Sequence, residues 1–231
     1  MPASEFDEFA DDYLKAHTEN TRLTGEEPEY FARYKIVEIH RQLCASGEAL
    51  PQAILDFGTG IGSSLPHLQD IFPGAAITGL DVSEKSLSVA ASRFPGVAEL
   101  KLYDGVEIPF ADATFDLVFS SCVFHHIDAR QHERLFAGLR RLLRPNGRMV
   151  IFEHNPINPV TRYIVATCPF DENAVLISAR EFRRRQLRAG FGQVGVRFTG
   201  FFPGKLAALR PLEPWMSALP IGAQYYTWAR P

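Results

Sequence analysis

The chain has 231 residues, 46% hydrophobic and 22% charged, the balance of one globular domain with a sizeable core. A net charge of −3 and a pI near 6.2 give no electrostatic footprint for a nucleic-acid partner, and no apolar run approaches the roughly 20 residues of a transmembrane span. The three cysteines, Cys44, Cys122 and Cys168, are odd in number and far apart, which argues against a disulfide framework and for a reducing, cytoplasmic setting.

Residues 1–48 read as a helical cover and 49–231 as a core, together one domain. The acidic start, Met-Pro-Ala-Ser-Glu-Phe-Asp-Glu, is unlike a signal peptide. Phe6, Phe9 and Tyr13 share one helical face, and two readings stand open: a surface helix or a lid. Residues 18–28 are polar and read as a loop. Tyr30 to Cys44 reads as a helix, with Tyr30, Tyr34, Val37, Arg41 and Cys44 near one face and Lys35 solvated.

Ala53, Ile54 and Leu55 form a short apolar run, expected as a buried strand, and Asp56 ends it. Gly58, Gly60 and Gly62 follow at alternate positions, with Thr59 between the first two. Glycines so spaced let the backbone turn sharply and approach a ligand. Ser63 to Leu68 begins a helix whose free N–H groups face the same spot. A dinucleotide fingerprint would put its third glycine at position 63, where Ser63 stands. The pattern Asp56-x-Gly58-x-Gly60-x-Gly62 instead resembles the first motif of the class I S-adenosylmethionine-dependent methyltransferases. That resemblance implies S-adenosylmethionine as cofactor, with Asp56, Gly58, Thr59, Gly60 and Gly62 around its methionine part.

Ala76 to Leu80 reads as a second buried strand with Asp81 at its end. A carboxylate there suits two ribose hydroxyls, since it accepts a hydrogen bond from each. Val82 stands beside it, and Ser83 is placed to cap a helix from Glu84 to Phe94. Dehydrogenases put an acid at the same place, so Asp81 alone does not separate the two classes. Ala98 to Tyr103 is expected as a third strand, followed by Asp104-Gly105 and Ile108-Pro109-Phe110. By itself Asp104-Gly105 is a turn signal. Its resemblance to the methyltransferase pattern implies a role for Asp104 at the adenine amine, with Gly105 beside it.

Thr114 to Ser121 is expected as the fourth strand, then Cys122-Val123-Phe124-His125-His126-Ile127. This stretch resembles the family's fourth motif and implies Ser121 and Cys122 beside the cofactor. His125 and His126 are candidates for general base or for a structural role. Adjacent histidines do not easily serve one ion, and no Cys or acid sits at ligand spacing, so no metal is expected. A helix from His132 to Leu143 should run into Arg-Pro-Asn-Gly, with Gly147 as its stop. Arg148 to Phe152 is the fifth strand. Glu153, His154, Asn155 and Asn158 leave its carboxyl end, where open α/β sheets bind substrates. His154 is thus a third catalytic candidate. Tyr163 and Phe170 are expected near the acceptor within an insertion over 154–176, against the alternative of a packing insertion.

Ser178 to Ala189 reads as a helix carrying Arg180, Arg183, Arg184, Arg185 and Arg188, either a solvated basic face or a site for an anionic acceptor. Val194 to Thr199 and Ala223 to Ala229 read as two further strands. Between them lie Phe201, Phe202, Leu206, Leu209, Trp215, Met216 and Leu219, which would line an acceptor site or cover the sheet edge. The resemblance, over roughly 50–229, implies an α/β fold: a Rossmann-like, seven-stranded, mostly parallel sheet with an antiparallel C-terminal hairpin and helices on both faces. It also implies methyl transfer to a small-molecule acceptor; the aromatic-rich C-terminal half suits an apolar, lipid- or sugar-linked one, with O-methylation slightly favoured. Ser121-Cys122-Val123-Phe124 lacks the Asn/Asp-Pro-Pro-aromatic motif of nucleic-acid amino-methylases. Two rivals stay open. A nicotinamide-dependent oxidoreductase is opposed by the displaced glycine and the absence of Tyr-x-x-x-Lys. A non-catalytic cofactor-binding module is not excluded.

Overall fold

The computed structural model describes residues 24–231, except the side chain of Phe170. The helical face of Phe6, Phe9 and Tyr13 lies outside the described residues. Seven strands form one sheet: β1 (Ala53–Phe57), β2 (Ala76–Asp81), β3 (Glu99–Leu102), β4 (Phe115–Ser121), β5 (Leu143–His154), β6 (Gln193–Thr199) and β7 (Gln224–Arg230). Their order is β3-β2-β1-β4-β5-β7-β6. The first five run parallel to one another, and β7 runs antiparallel to both β5 and β6. The expected mixed sheet with its antiparallel closing pair is therefore present.

Strand side chains alternate between the faces, and each face has its own core. Leu55, Phe57, Val118, Ile151, Tyr225 and Ala229 pack with Leu135, Phe136 and Leu139 of α4 (His132–Leu142) and Phe182 of α6 (Ala179–Arg188). Ile54, Leu117, Phe119, Val150, Phe152 and Tyr226 pack with Ile36, Ile39 and Leu43 of α1 (Pro28–Ala45) and Leu65 and Leu68 of α2 (Leu65–Ile71). Two more helices, α3 (Glu84–Arg93) and α5 (Pro159–Thr167), follow β2 and β5. Ser83 and Asn158 cap them, each accepting a backbone N–H three residues on, as N-cap side chains do. A short helix, α7 (Glu213–Met216), lies in the β6–β7 connection.

Three local expectations are corrected. The buried face of α1 runs through Ala32, Lys35, Ile36, Ile39 and Leu43, whereas Val37 and Cys44 are exposed. The isoleucine and leucine stripe outweighs the aromatic one. Helix α4 stops at Leu142, and Leu143 already begins β5. Leu143 pairs with Phe115 and Arg148 with Leu117, so residues 144–147 bulge from the ladder. Gly147 is not a helix stop: a Cβ there would come within 3.0–3.1 Å of the Arg144 and Phe115 carbonyl oxygens. The β6–β7 connection starts and ends at the sheet's ligand side, where Thr199 and His154 both pair with Gln224, but none of residues 200–222 lines the cavity. It packs on the approach to α1, where Arg210 pairs with Glu26 at 2.5 Å and lies over the Tyr30 ring.

Candidate active site

A cavity of about 840 Å³ opens at the carboxyl ends of the central strands, where the sheet order reverses between β1 and β4 and ligands of open α/β sheets bind. One end is made by the glycine loop. The Gly58 and Thr59 N–H groups both donate to the Leu80 carbonyl, at 2.8 and 3.2 Å, tying the loop to β2. Gly58 and Gly60 have φ of 74° and 53°. A Cβ at Gly58 would meet the Val123 side chain at 2.4 Å, so that glycine lets two segments touch. Gly60 lines the cavity, and a Cβ there would meet no protein atom within 4 Å. Asp81 is locked beside it, one carboxylate oxygen accepting the Gly60 N–H at 2.7 Å and the other the Ser83 N–H at 3.0 Å. Asp56 is fully buried and accepts the Thr59 hydroxyl at 2.8 Å. Burial raises its pKa to about 7; the Thr59 bond opposes this and the Asp81 charge adds to it.

Val82 and Gly105 line the same end, but Asp104 does not. Asp104 is exposed, and one of its oxygens accepts the Val106 and Glu107 N–H groups at 2.8 and 3.0 Å. Its geometry is that of a self-satisfied turn.

The other end is built where β4 and β5 finish side by side. Ser121 closes β4, and Cys122 follows with φ 58°, a left-handed conformation uncommon for a side-chain-bearing residue. Its N–H donates to the Phe152 carbonyl at 2.8 Å. A 3₁₀ turn over Phe124–His126 then bends back toward the cavity. Glu153, buried at the end of β5, holds that turn. One oxygen accepts the Val123 and Phe124 N–H groups at 3.1 and 2.7 Å, and the other lies 2.6 Å from His125 Nδ1. His125 Nε2 lies 3.3 Å from Asp171, which is also 3.4 Å from His126 Nε2. The His154 ring centre stands 5.1 Å from that of His125.

These groups shift one another. Burial opposes a charge on His125, but the Glu153 charge and the bonds to Asp171 and Glu153 raise its pKa to about 10. Burial and the His125 charge push His126 down to about 4. Burial would raise the Cys122 thiol, yet the Lys35 charge and His154 bring it to about 6.

Lys35, expected in solvent, is buried. From α1 its ammonium donates to Ser121 Oγ at 2.6 Å and approaches Cys122 Sγ at 3.8 Å. Gln224 Nε2 reaches the same sulfur at 3.4 Å, and Tyr34 donates to Gln224 Oε1.

Of the residues singled out in the sequence, Asp56, Gly58, Thr59, Gly60, Asp81, Val82, Gly105, Ser121, Cys122, His125, His126 and His154 all face the cavity. Gly62 faces protein: its Cβ would meet Ala90 and Leu65 at 3.0 Å. Tyr163 is 59% exposed and turned outward, so it does not approach the site. Asn155 and Asn158 hold the 220–223 backbone through the Pro220, Gly222 and Ile221 carbonyls. None of the α6 arginines lines the cavity; Arg183 donates to Val194, and Arg184, Arg185 and Arg188 pair with Glu181 or Glu133. No Cys or acid sits at ligand spacing from the histidines in the sequence, but the fold brings Asp171 within 4.8 Å of His125 and His154. Glu153, expected at the substrate end of β5, is joined by Lys35, Asp171 and Gln224 from three further stretches, and no local motif marks those three.

Residues 55–151 match the family model described as a methyltransferase domain. A demethylmenaquinone methyltransferase of Thermotoga maritima is 35% identical over 111 residues, 48% of this chain and 47% of its own. An O-methyltransferase of Penicillium expansum is 31% identical over 155 residues, 62% of this chain and 53% of its own. The chain spans about half the length of these curated relatives. A solved Thermotoga maritima structure, described as a S-adenosylmethionine-dependent methyltransferase and possible histamine N-methyltransferase, shares the fold with TM-score 0.71, at 18% identity over 100% of this chain and 99% of that one. Residues 55–151 are thus a methyltransferase domain, and the sheet around them has the fold of the class I S-adenosylmethionine-dependent methyltransferases.

Proposed function

We propose that the chain carries a methyl group from S-adenosylmethionine to an oxygen of a small, largely apolar acceptor. One observation carries the reading: a single cavity joins the glycine loop and Asp81 at one end to His125, His126, His154 and Asp171 at the other. Its volume lies toward the upper part of the usual range for ligand sites, about 300–1,000 Å³, which leaves room for two small molecules together. The residues present fit the cofactor. Asp81 holds its two carboxylate oxygens beside the glycine loop, acceptors of the kind a ribose diol requires, and Gly60 leaves open the space a side chain would fill.

When bound, S-adenosylmethionine supplies a methyl group already activated by its sulfonium. The protein's work is then alignment at near-attack distance and exclusion of water. Gly58 and Gly60 would wrap the methionine part, and Ser121 and Cys122 would form the wall between the two ends. His126, which lines the cavity beside them, is placed to take the acceptor's proton. The oxygen acceptor rests on this proton-accepting surface; the relatives named above include an O-methyltransferase and a demethylmenaquinone methyltransferase, and do not choose between oxygen and carbon.

Calorimetric titration with S-adenosylhomocysteine and separately with NAD(H) tests the reading. Binding of the former alone is expected. Binding of NAD(H) instead would return the oxidoreductase, and tight cofactor binding without turnover on phenolic, carboxylate or carbon acceptors would leave only a binding module.

A further inference from the structure

We propose that His125, His154 and Asp171 bind one divalent transition-metal ion at the acceptor end of the cavity. The proposal deepens the methyl-transfer reading, but the ion is detected without turnover.

The three side chains each offer one donor atom, all within 4.8 Å of one another. Metal–ligand bonds of about 2.0–2.2 Å put neighbouring donors roughly 3–3.5 Å apart. His125 Nε2 and Asp171 are already at 3.3 Å, so closing the set needs small side-chain rotations. They come from three elements: the 3₁₀ turn after β4, the end of β5, and the 3₁₀ turn Pro169–Asp171. All three residues line the cavity, so the remaining coordination positions face it, as in sites that exchange a ligand rather than closed structural ones.

The surroundings of His125 are an independent observation. A metal-bound imidazole normally donates its second N–H to a carboxylate, which fixes the tautomer and turns the other nitrogen to the ion. His125 Nδ1 lies 2.6 Å from Glu153, and both side chains are buried. Glu153 is itself oriented by two backbone N–H groups. With the proton on Nδ1, Nε2 points at His154 and Asp171. Two imidazoles and a carboxylate favour zinc, iron(II), cobalt or nickel over magnesium or calcium. Cys122 stays outside the set, engaged by Gln224 and Lys35. An ion here would meet an oxygen of the acceptor as a Lewis acid.

The test is Co²⁺ titration of chelator-treated full-length protein, followed by visible d–d absorption, with S-adenosylhomocysteine binding measured on each sample. One ion per chain is expected. His154→Ala and Asp171→Asn should each weaken it at least tenfold, and Glu153→Gln about 10–100-fold, while S-adenosylhomocysteine still binds. Cys44 and His40 lie 3.7 Å apart on exposed α1 and could bind the probe by accident, so a His40→Ala/Cys44→Ala variant is the control. Co²⁺ binding kept in that control and lost in His154→Ala supports the site. No binding, binding indifferent to His154→Ala and Asp171→Asn, or binding lost only with His40 and Cys44 overturns it. Should Glu153→Gln fail to fold, the other two variants decide. Loss of S-adenosylhomocysteine binding by the unmodified protein would sink the methyltransferase reading and leave the metal result standing.

Discussion

Two residues carry the testable chemistry of the cofactor end. Asp81→Ala removes the acceptor of the Gly60 and Ser83 N–H groups and the one proposed for two ribose hydroxyls. S-adenosylhomocysteine binding should weaken by about 1.5–3 kcal/mol, the cost of losing hydrogen bonds to a charged group; unchanged affinity in calorimetry would sink the ribose role. Gly60→Val adds a β-branched residue at φ 53° into open cavity space and should abolish binding while the far-UV circular dichroism is retained. Asp56 makes a prediction about pH. Its folded pKa, about 7, lies above the ordinary value of 3.8, so between about pH 4 and 7 the folded chain holds a proton that the unfolded chain has released. Stability contributed by this group is present below pH 4 and lost as pH rises to 7. Asp56→Asn cannot titrate, so its stability relative to the parent should climb across that window by up to about 4 kcal/mol. A difference that stays flat in denaturant titrations at pH 4.5 and 7.5 would contradict the assigned burial.

At the scale of elements, the strands were legible because short apolar runs ended in acids or glycines, and each fell within a residue or two of its expected place apart from β5. The face of α1 was not. Its stripe of Tyr30, Tyr34 and Val37 competes with Ile36, Ile39 and Leu43, and only the sheet beneath decides. Lys35 was misread for the same reason: a lysine on a helix is ordinarily solvated, and its partners Ser121 and Cys122 stand 86 and 87 residues away. Glu153 shows the general limit. Its bond to His125 exists because β4 and β5 are paired in a register that sets Ser121 against Phe152, which no local pattern states. Glycine loops announce themselves because one short segment does the work; the acceptor end is assembled from five. Helix α1 also yields a stability prediction. Ile39 is 2% exposed within the second core, so Ile39→Ala should cost about 2–5 kcal/mol in urea unfolding. A loss below 1 kcal/mol would mean α1 is loosely docked.

For the whole molecule, ligand binding and stability are one equilibrium. S-adenosylhomocysteine at 100 times its dissociation constant should stabilise the fold by about 2.7 kcal/mol, which at this chain length raises Tm by roughly 5–10 °C. No shift with saturating ligand would place binding on a state other than the folded one. The glycine loop, β2 and β4 all meet at the cavity, so hydrogen exchange should slow together in residues 56–62 and 120–126 when ligand is added.

The order of the sheet has a temporal side. Strand β7 is the last strand in sequence, yet it sits between β5 and β6. On the ribosome, β5 and β6 are therefore made before the strand that joins them. Through the synthesis of residues 200–230, roughly 2–6 s at about 5–20 residues per second, β5 carries an uncovered edge and β6 has no neighbour at all. The nascent chain thus passes through an interval open to wrong strand pairing, and a clustering of slow codons just after the β6 segment would lengthen it.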